Sequence, residues 1–169
     1  MLISEAYRAS NAELHAREAS YGSHAHTRAP AVRQLVKDNG FKTVLDYGCG
    51  KGTLAAALDG IDVREYDPAI PGKDGEPEPA DLVACFDVLE HVEPELLDSV
   101  LDHIHGLTKH MLVFVISTIP SGKTLADGRN AHLIVKPADW WRKQLGNYFD
   151  LIAWRVDASA VVGCGTPRY

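Results

Sequence analysis

Residues Thr43-Val44-Leu45-Asp46-Tyr47-Gly48-Cys49-Gly50-Lys51-Gly52 constrain this chain more than any other stretch. An apolar strand pattern meets one acidic residue and then glycine at every second position. Glycine turns tightly with positive φ and lets another group approach without a Cβ in the way. A strand that opens through such a loop into a helix is the nucleotide-binding start of a doubly wound α/β sheet. The spacing narrows the ligand. A dinucleotide fingerprint, G-x-G-x-x-G, needs glycine at position 53, and Thr53 stands there. The pattern present is D-x-G-x-G-x-G.

The rest of the chain alternates helix and strand signals. Residues 4–20 predict a helix, which the stretch 21–28 breaks. Pro30 opens a second helix that Asn39-Gly40 stops. Strands are expected over 42–46 and 61–66, with a short helix at 53–58 between them. Residues 68–80 hold four prolines and two glycines, a loop composition. The next strand follows at once over 81–86. A helix then starts near Glu93-Pro94 and carries Leu96, Leu97, Val100, Leu101, Ile104 and Leu107 with a 3.6-residue period. Residues 111–116 are continuously apolar, as in a central parallel strand. A long loop over 117–136, a helix opened by Pro137, and two short strands at 151–156 and 160–164 complete the pattern. At 169 residues, one domain is expected: an N-terminal helical lid over 1–40 and a core over 41–169.

The glycine loop resembles the first motif of class I S-adenosylmethionine-dependent methyltransferases. Asp81 through Val92, D-L-V-A-C-F-D-V-L-E-H-V, resembles the fourth-strand motif of many of them. The resemblance runs from about residue 40 to 117, with weaker agreement to the end. Beyond it, the stretch from Ile116 to Trp141 looks like short methyltransferases encoded by bacteriophages. The family implies a Rossmann-like, doubly wound α/β sheet of seven strands, mostly parallel with a C-terminal antiparallel hairpin. Here the chain is abbreviated around 68–80. It also implies S-adenosyl-L-methionine as methyl donor. Carried onto this chain, Gly48, Gly50 and Gly52 would cradle the ligand's amino-acid portion and ribose, and Asp46 would attract its ammonium. Phe86 and Asp87 would line its methionine side. Asp67, about 20 positions past the loop, is the expected ribose contact, although an aspartate before proline is also a common turn pair. Pro68 could pack on the adenine face.

Methyl transfer from a sulfonium mainly needs alignment, and a base only where the acceptor must lose a proton. Glu90, His91 and His132 are the candidates for such catalytic work. Asp87-x-x-Glu90-His91 can also hold a divalent metal. It is similar to the E-x-x-E-H of small-RNA 3′-terminal 2′-O-methyltransferases, with His132 as a further ligand. Asp at 87 departs from that pattern, and Glu-His recurs here in metal-free methyltransferases, so no obligatory ion is expected. Ser121-Gly122-Lys123-Thr124 is no phosphate loop, because Ser117 replaces the required glycine. Lys123, Arg129 and Asn130 instead flank the ligand crevice as candidate substrate contacts, and the two cations point to an acidic or phosphate group. His24 and His26 are either site residues or exposed loop histidines. One of Trp140 and Trp141 is expected in the core, and His103 and His105 on a solvated helix end.

Composition removes several classes of function. A net charge of −6 argues against an extended nucleic-acid surface. No window approaches the apolar length of a membrane span. Cys49, Cys85 and Cys164 are odd in number and unclustered, which fits a reducing cytoplasm without a disulfide framework or zinc site. Neither an Asn/Asp-Pro-Pro-Tyr motif nor a Pro-Cys nucleophile is present. Expected, then, is methyl transfer to a small molecule, a nucleotide or a nucleic-acid terminus. The alternatives are a nonenzymatic adenosylmethionine-binding module, a metal-dependent RNA 3′-end enzyme, and a nicotinamide oxidoreductase, which the missing third fingerprint glycine disfavours.

Overall fold

Eleven elements follow one another in the computed structural model, which describes residues 1–169. They are α1 (Glu5–Arg17), α2 (Ala29–Asn39), β1 (Thr43–Tyr47), α3 (Thr53–Ala57), β2 (Asp62–Tyr66), β3 (Ala80–Phe86), α4 (Leu97–Leu107), β4 (Thr108–Ser117), α5 (Ala138–Gly146), β5 (Phe149–Val156) and β6 (Ala160–Pro167). The strands form one sheet in the order β2-β1-β3-β4-β6-β5. Pairing is parallel from β2 through β4 and antiparallel for β4–β6 and β6–β5. The runs with the most continuous apolar sequence, β1, β3 and β4, hold the middle, where both faces are covered.

The sheet has six strands, one fewer than the family resemblance implies. The segment between β2 and β3 adds no strand or helix, so β2 is left as an edge. Its prolines lack the N–H groups that a further ladder would need. Two other boundaries differ from expectation. β4 leaves α4 without a loop, at Thr108, and β6 continues past Cys164 to Pro167.

One core fills the face covered by α4 and α5, with Leu45, Val83, Leu101, Ile104, Phe114 and Trp141 fully buried. Trp140 is only partly buried. The other face is packed by α2 and α3 through Val32, Leu54 and Leu58 against Val44, Leu82 and Ala84. The 1–40 segment therefore divides, and α2 belongs to the core. A third cluster, Tyr7, Leu14, Leu125 and Ala131, joins α1 to the long loop after β4. His103 is not merely solvated, since its Nδ1 lies 2.9 Å from the Tyr47 hydroxyl. Likewise, His105 Nε2 lies 2.9 Å from the Arg168 carbonyl. No helix is long and apolar enough to cross a membrane.

Candidate active site

The connection from β1 to β2 and that from β3 to β4 run to opposite sides of the adjacent β1–β3 pair, and ligands in open α/β sheets sit at such a switch point, outside the carboxyl ends of the strands. A cavity of about 290 Å³ lies there. Its floor includes Gly48, Cys49 and Gly50 after β1, Asp67 and Pro68 after β2, and Phe86, Asp87 and Val88 at the end of β3. Backbone bonds shape this floor. The N–H groups of Gly48 and Cys49 donate to the Tyr66 carbonyl at 2.7 and 3.0 Å. Gly50 N–H donates to Asp67 Oδ2, and Ala69 N–H to Asp67 Oδ1, both at 3.0 Å. Asp67 thus ties the glycine loop to its own turn while facing the cavity.

Gly50 needs its glycine for a reason the sequence does not reveal. Its φ is +50°, and a Cβ there would stand 2.7 Å from the Gly22 carbonyl oxygen and 2.9 Å from the Gly22 Cα. What approaches it is the backbone of the N-terminal segment. Gly52 lies outside the cavity lining, and its missing Cβ leaves room for Glu65 and Lys73. Asp46 is also outside the lining. It is 2% exposed, and its Oδ2 has no hydrogen-bond partner in the protein. Burial, reinforced by Glu65, pushes its pKa up to about 7.

A second corner of the cavity holds the reactive side chains. His91 and His132 line it, with their rings edge to face at 4.7 Å. His91 Nδ1 lies 2.7 Å from the Ala131 carbonyl, and His132 Nδ1 lies 2.6 Å from that of Ile119. A carbonyl only accepts, so each ring donates from Nδ1 and, when neutral, keeps its lone pair on Nε2. Burial, with His132 nearby, holds the His91 pKa down to about 3. Glu90 does not reach the cavity surface. It is fully buried, with Oε1 accepting from Ser117 N–H at 2.7 Å and Oε2 unpartnered. Burial and the Asp87 charge push it up to about 8. One donor atom each from Glu90, His91 and His132 lie within 4.8 Å of one another, a geometry able to hold a metal ion. Asp87, expected to share that role, falls outside the group. It leaves β3 with φ +55°, and the residues that follow form a short 3-10 turn over Leu89–His91 instead of a helix.

The family of methyltransferase domains matches residues 19–159. The chain belongs to that family. Among solved structures, it is similar to a 1,6-didemethyltoxoflavin N1-methyltransferase from Burkholderia thailandensis, solved with that compound and S-adenosylhomocysteine. That match has 20% identity and a TM-score of 0.65, over 96% of this chain and 87% of the other. A Synechocystis magnesium protoporphyrin IX methyltransferase matches at 18% identity and a TM-score of 0.60, over 85% and 83% of the two chains. The N-methyltransferase NodS from Bradyrhizobium japonicum matches at 15% identity and a TM-score of 0.60, over 85% and 86%. No curated protein matches the sequence.

Over the floor, this methyltransferase carries a roof made of residues 1–25 and the loop after β4. Each sequence-predicted substrate contact already has a partner within the protein. Lys123 lines the cavity, but its Nζ donates to Glu18 Oε2 and Ser20 Oγ at 3.1 Å each. Arg129 is exposed, away from the cavity, and paired with Asp127. Asn130 is also outside the lining and clamps its own loop, accepting from Ser121 and His132 N–H and donating to the Ser121 carbonyl. His24 lines the cavity and His26 does not. The sequence places the pocket wall at residues 21–28 and 117–132, and Tyr21, His24, Ser121, Lys123 and His132 of those segments line the cavity; it misses three contributors from α1, namely Tyr7, Asn11 and His15. These three recur every four residues, a spacing that would have marked one polar helix face.

Proposed function

We propose that this chain transfers the methyl group of S-adenosyl-L-methionine to a small-molecule acceptor. The observation that carries the reading is the convergence of Gly48–Gly50, Asp67-Pro68 and Phe86-Asp87 on one cavity at the switch point. That wall bears Asp67, Asp87 and Glu93, and its one lysine is already neutralised by Glu18. Such a site suits a ligand bearing a sulfonium and an ammonium. It speaks against a nucleotide or nucleic-acid terminus as acceptor, because no unpaired lysine or arginine faces the cavity. The didemethyltoxoflavin and NodS enzymes, both solved with S-adenosylhomocysteine, support the same choice of cofactor. The Nε2 atom of His132 is available to take a proton from an acceptor that must lose one, whereas burial makes His91 a weak base.

Calorimetry with S-adenosylhomocysteine and NAD separates this from an oxidoreductase: the former binds and the latter does not. Asp67→Ala should weaken S-adenosylhomocysteine by about 1–3 kcal/mol, the scale of a lost charged partner. Unchanged affinity in the folded variant would remove Asp67 from the ligand. Turnover of labelled adenosylmethionine on fractionated small metabolites separates an enzyme from a binding module, and methyl incorporation confined to RNA ends would replace the acceptor class.

A second reading, metal-dependent transfer, is favoured by the grouping of Glu90, His91 and His132. The donor set fits: Glu90 Oε2 is buried without a partner, and both imidazoles are oriented by carbonyls at Nδ1. Two nitrogens and one carboxylate suit a transition-type divalent ion better than calcium. Such an ion would supply Lewis acidity toward an acceptor oxygen. Dialysis against a chelator decides the reading. Methyl transfer lost and then restored by zinc or manganese favours the metal, and full activity in the metal-free protein excludes it.

A further inference from the structure

Tyr7, Asn11 and His15 lie four residues apart and so share one face of α1. All three line the cavity. On each, one polar atom is buried without a hydrogen-bond partner in the protein: Tyr7 Oη, Asn11 Oδ1 and His15 Nδ1. Roughly nine in ten buried polar groups are satisfied in folded proteins, so three unsatisfied atoms in a row on one short helix are not a packing accident.

The helix is not loosely placed. At its start, Ser4 N–H and Oγ donate to the Glu93 carboxylate at 2.8 and 2.6 Å. At its end, Lys51 Nζ donates to the carbonyls of His15 and Glu18 at 3.1 Å each, and Arg17 to that of Thr124 at 2.9 Å. Each clamp uses groups other than the three orphans. The His15 end of the row sits over the glycine loop: a Cβ on Gly22 would meet His15 Cε1 at 2.7 Å, and Gly22 rests on Gly50. The Asp67 charge on the floor reaches both ends of the row, opposing ionisation of the Tyr7 phenol and favouring the charged form of His15. For both residues burial is the larger effect, so they stay neutral near pH 7.

We infer that α1 is a cofactor-binding element, in which Tyr7, Asn11 and His15 hydrogen-bond the hydroxyl and amine groups of adenosylmethionine from the side opposite Asp67. The inference rests on the cofactor reading above. A phenol, an amide oxygen and an imidazole are matched by ribose hydroxyls and an amine, groups that each donate or accept. None of the three brings a positive charge to a phosphate. The N-terminal segment then binds the cofactor itself, and the corner lined by His91 and His132 is left to the acceptor.

The experiment uses Tyr7→Phe, Asn11→Leu and His15→Phe, with S-adenosylhomocysteine and adenosine as calorimetric probes and thermal unfolding of the ligand-free protein as control. Failure of the wild type to bind S-adenosylhomocysteine would defeat the cofactor reading before any variant is compared. Given binding, the two readouts should move in opposite senses. Removing an unsatisfied polar atom leaves the ligand-free Tm unchanged or raised, whereas affinity for S-adenosylhomocysteine falls about three- to tenfold per residue. Adenosine should lose a similar factor with at least one variant. Folded variants that bind S-adenosylhomocysteine within twofold of wild type, while losing methyl transfer, would turn the row toward the acceptor and overturn the proposal. A lowered ligand-free Tm, or failure of Tyr7→Phe to fold, would assign these groups to the fold and overturn it equally.

Discussion

The floor and the roof of the cavity are built by different physics. The floor is backbone. Its N–H groups are held by the Tyr66 carbonyl and the Asp67 carboxylate, and it rests on fully buried residues such as Val44, Leu45 and Cys85. The roof is side chains. α1 buries only Tyr7 and Leu14, and is fastened by Ser4, Arg17, Lys51 and Lys123. Partly exposed polar clamps of this kind contribute about 1 kcal/mol or less each. A rigid floor with a weakly held cover is what a site needs when its ligand is enclosed and must still leave.

The hardest way to break that contrast is at the one point where the two regions touch through backbone. Gly50→Val would drive a side chain against the Gly22 carbonyl and Cα, neither of which can rotate aside, at a positive φ that β-branched residues avoid. The roof should lift as a unit. We expect calorimetry to register no S-adenosylhomocysteine binding, with the sheet still folded by circular dichroism. Retained binding would mean that the roof is dispensable to the ligand.

Asp46 tests the floor from beneath. Its pKa of about 7 lies above its ordinary 3.8, so near pH 5–6 the folded chain holds a proton that the unfolded chain has released. Folding stability from this group therefore declines as pH rises from about 4 to 7, and the full penalty is present above that. Asp46→Asn cannot ionise. The variant should gain on the order of 2 kcal/mol over wild type between pH 5 and pH 8, read as a widening difference in Tm. A constant difference would show that Asp46 is charged in the folded protein at both pH values.

A smaller effect is expected in the roof. Lys123→Ala removes the clamp to Glu18 and should lower stability by about 0.2–1 kcal/mol, with methyl transfer largely kept. Exchanging the charges in Glu18→Lys with Lys123→Glu should restore the loss. If transfer collapses in Lys123→Ala and the exchange does not rescue it, the lysine belongs to the acceptor after all.

Legibility in the sequence followed the same division. Gly48, Gly50, Asp67 and Phe86, which line the cavity, are visible because a strand period and a tight turn leave local signals within a few residues. The six-strand sheet was readable from apolar runs, and the proline-rich 68–80 segment announced where it is abbreviated. The roof was legible only as two segments, an N-terminal lid and a long loop after β4, and not in the bonds that fasten it. Its bonds join residues 36, 89 and 105 positions apart, as in Lys51–His15, Ser4–Glu93 and Lys123–Glu18. A lysine that ends in such a pair has the same sequence appearance as one waiting for a phosphate. Glu90 is the intermediate case. Its neighbourhood was marked by the Glu-His motif, but its complete burial follows from the turn over Leu89–His91 and the bond from Ser117, which only the folded chain assembles.

Arg129 carries the smallest expected effect and the sharpest test of that distinction. Its guanidinium donates to Asp127 from Nε at 2.8 Å and pairs again through Nη2 at 2.7 Å, two positions away in a turn that closes on Gly128. Both side chains are nearly half exposed. An exposed pair this local can steady the turn, and the neighbouring bridge between Thr124 and Asn130 holds the loop without it. The cavity wall does not include it. Arg129→Ala should therefore leave S-adenosylhomocysteine affinity and methyl transfer within twofold of wild type, with a stability change under about 0.5 kcal/mol. A tenfold rise in the acceptor's KM with cofactor affinity unchanged would instead mean that the loop swings Arg129 into the site when the acceptor binds, and the roof would then be a moving part whose charges are spent differently in the closed complex.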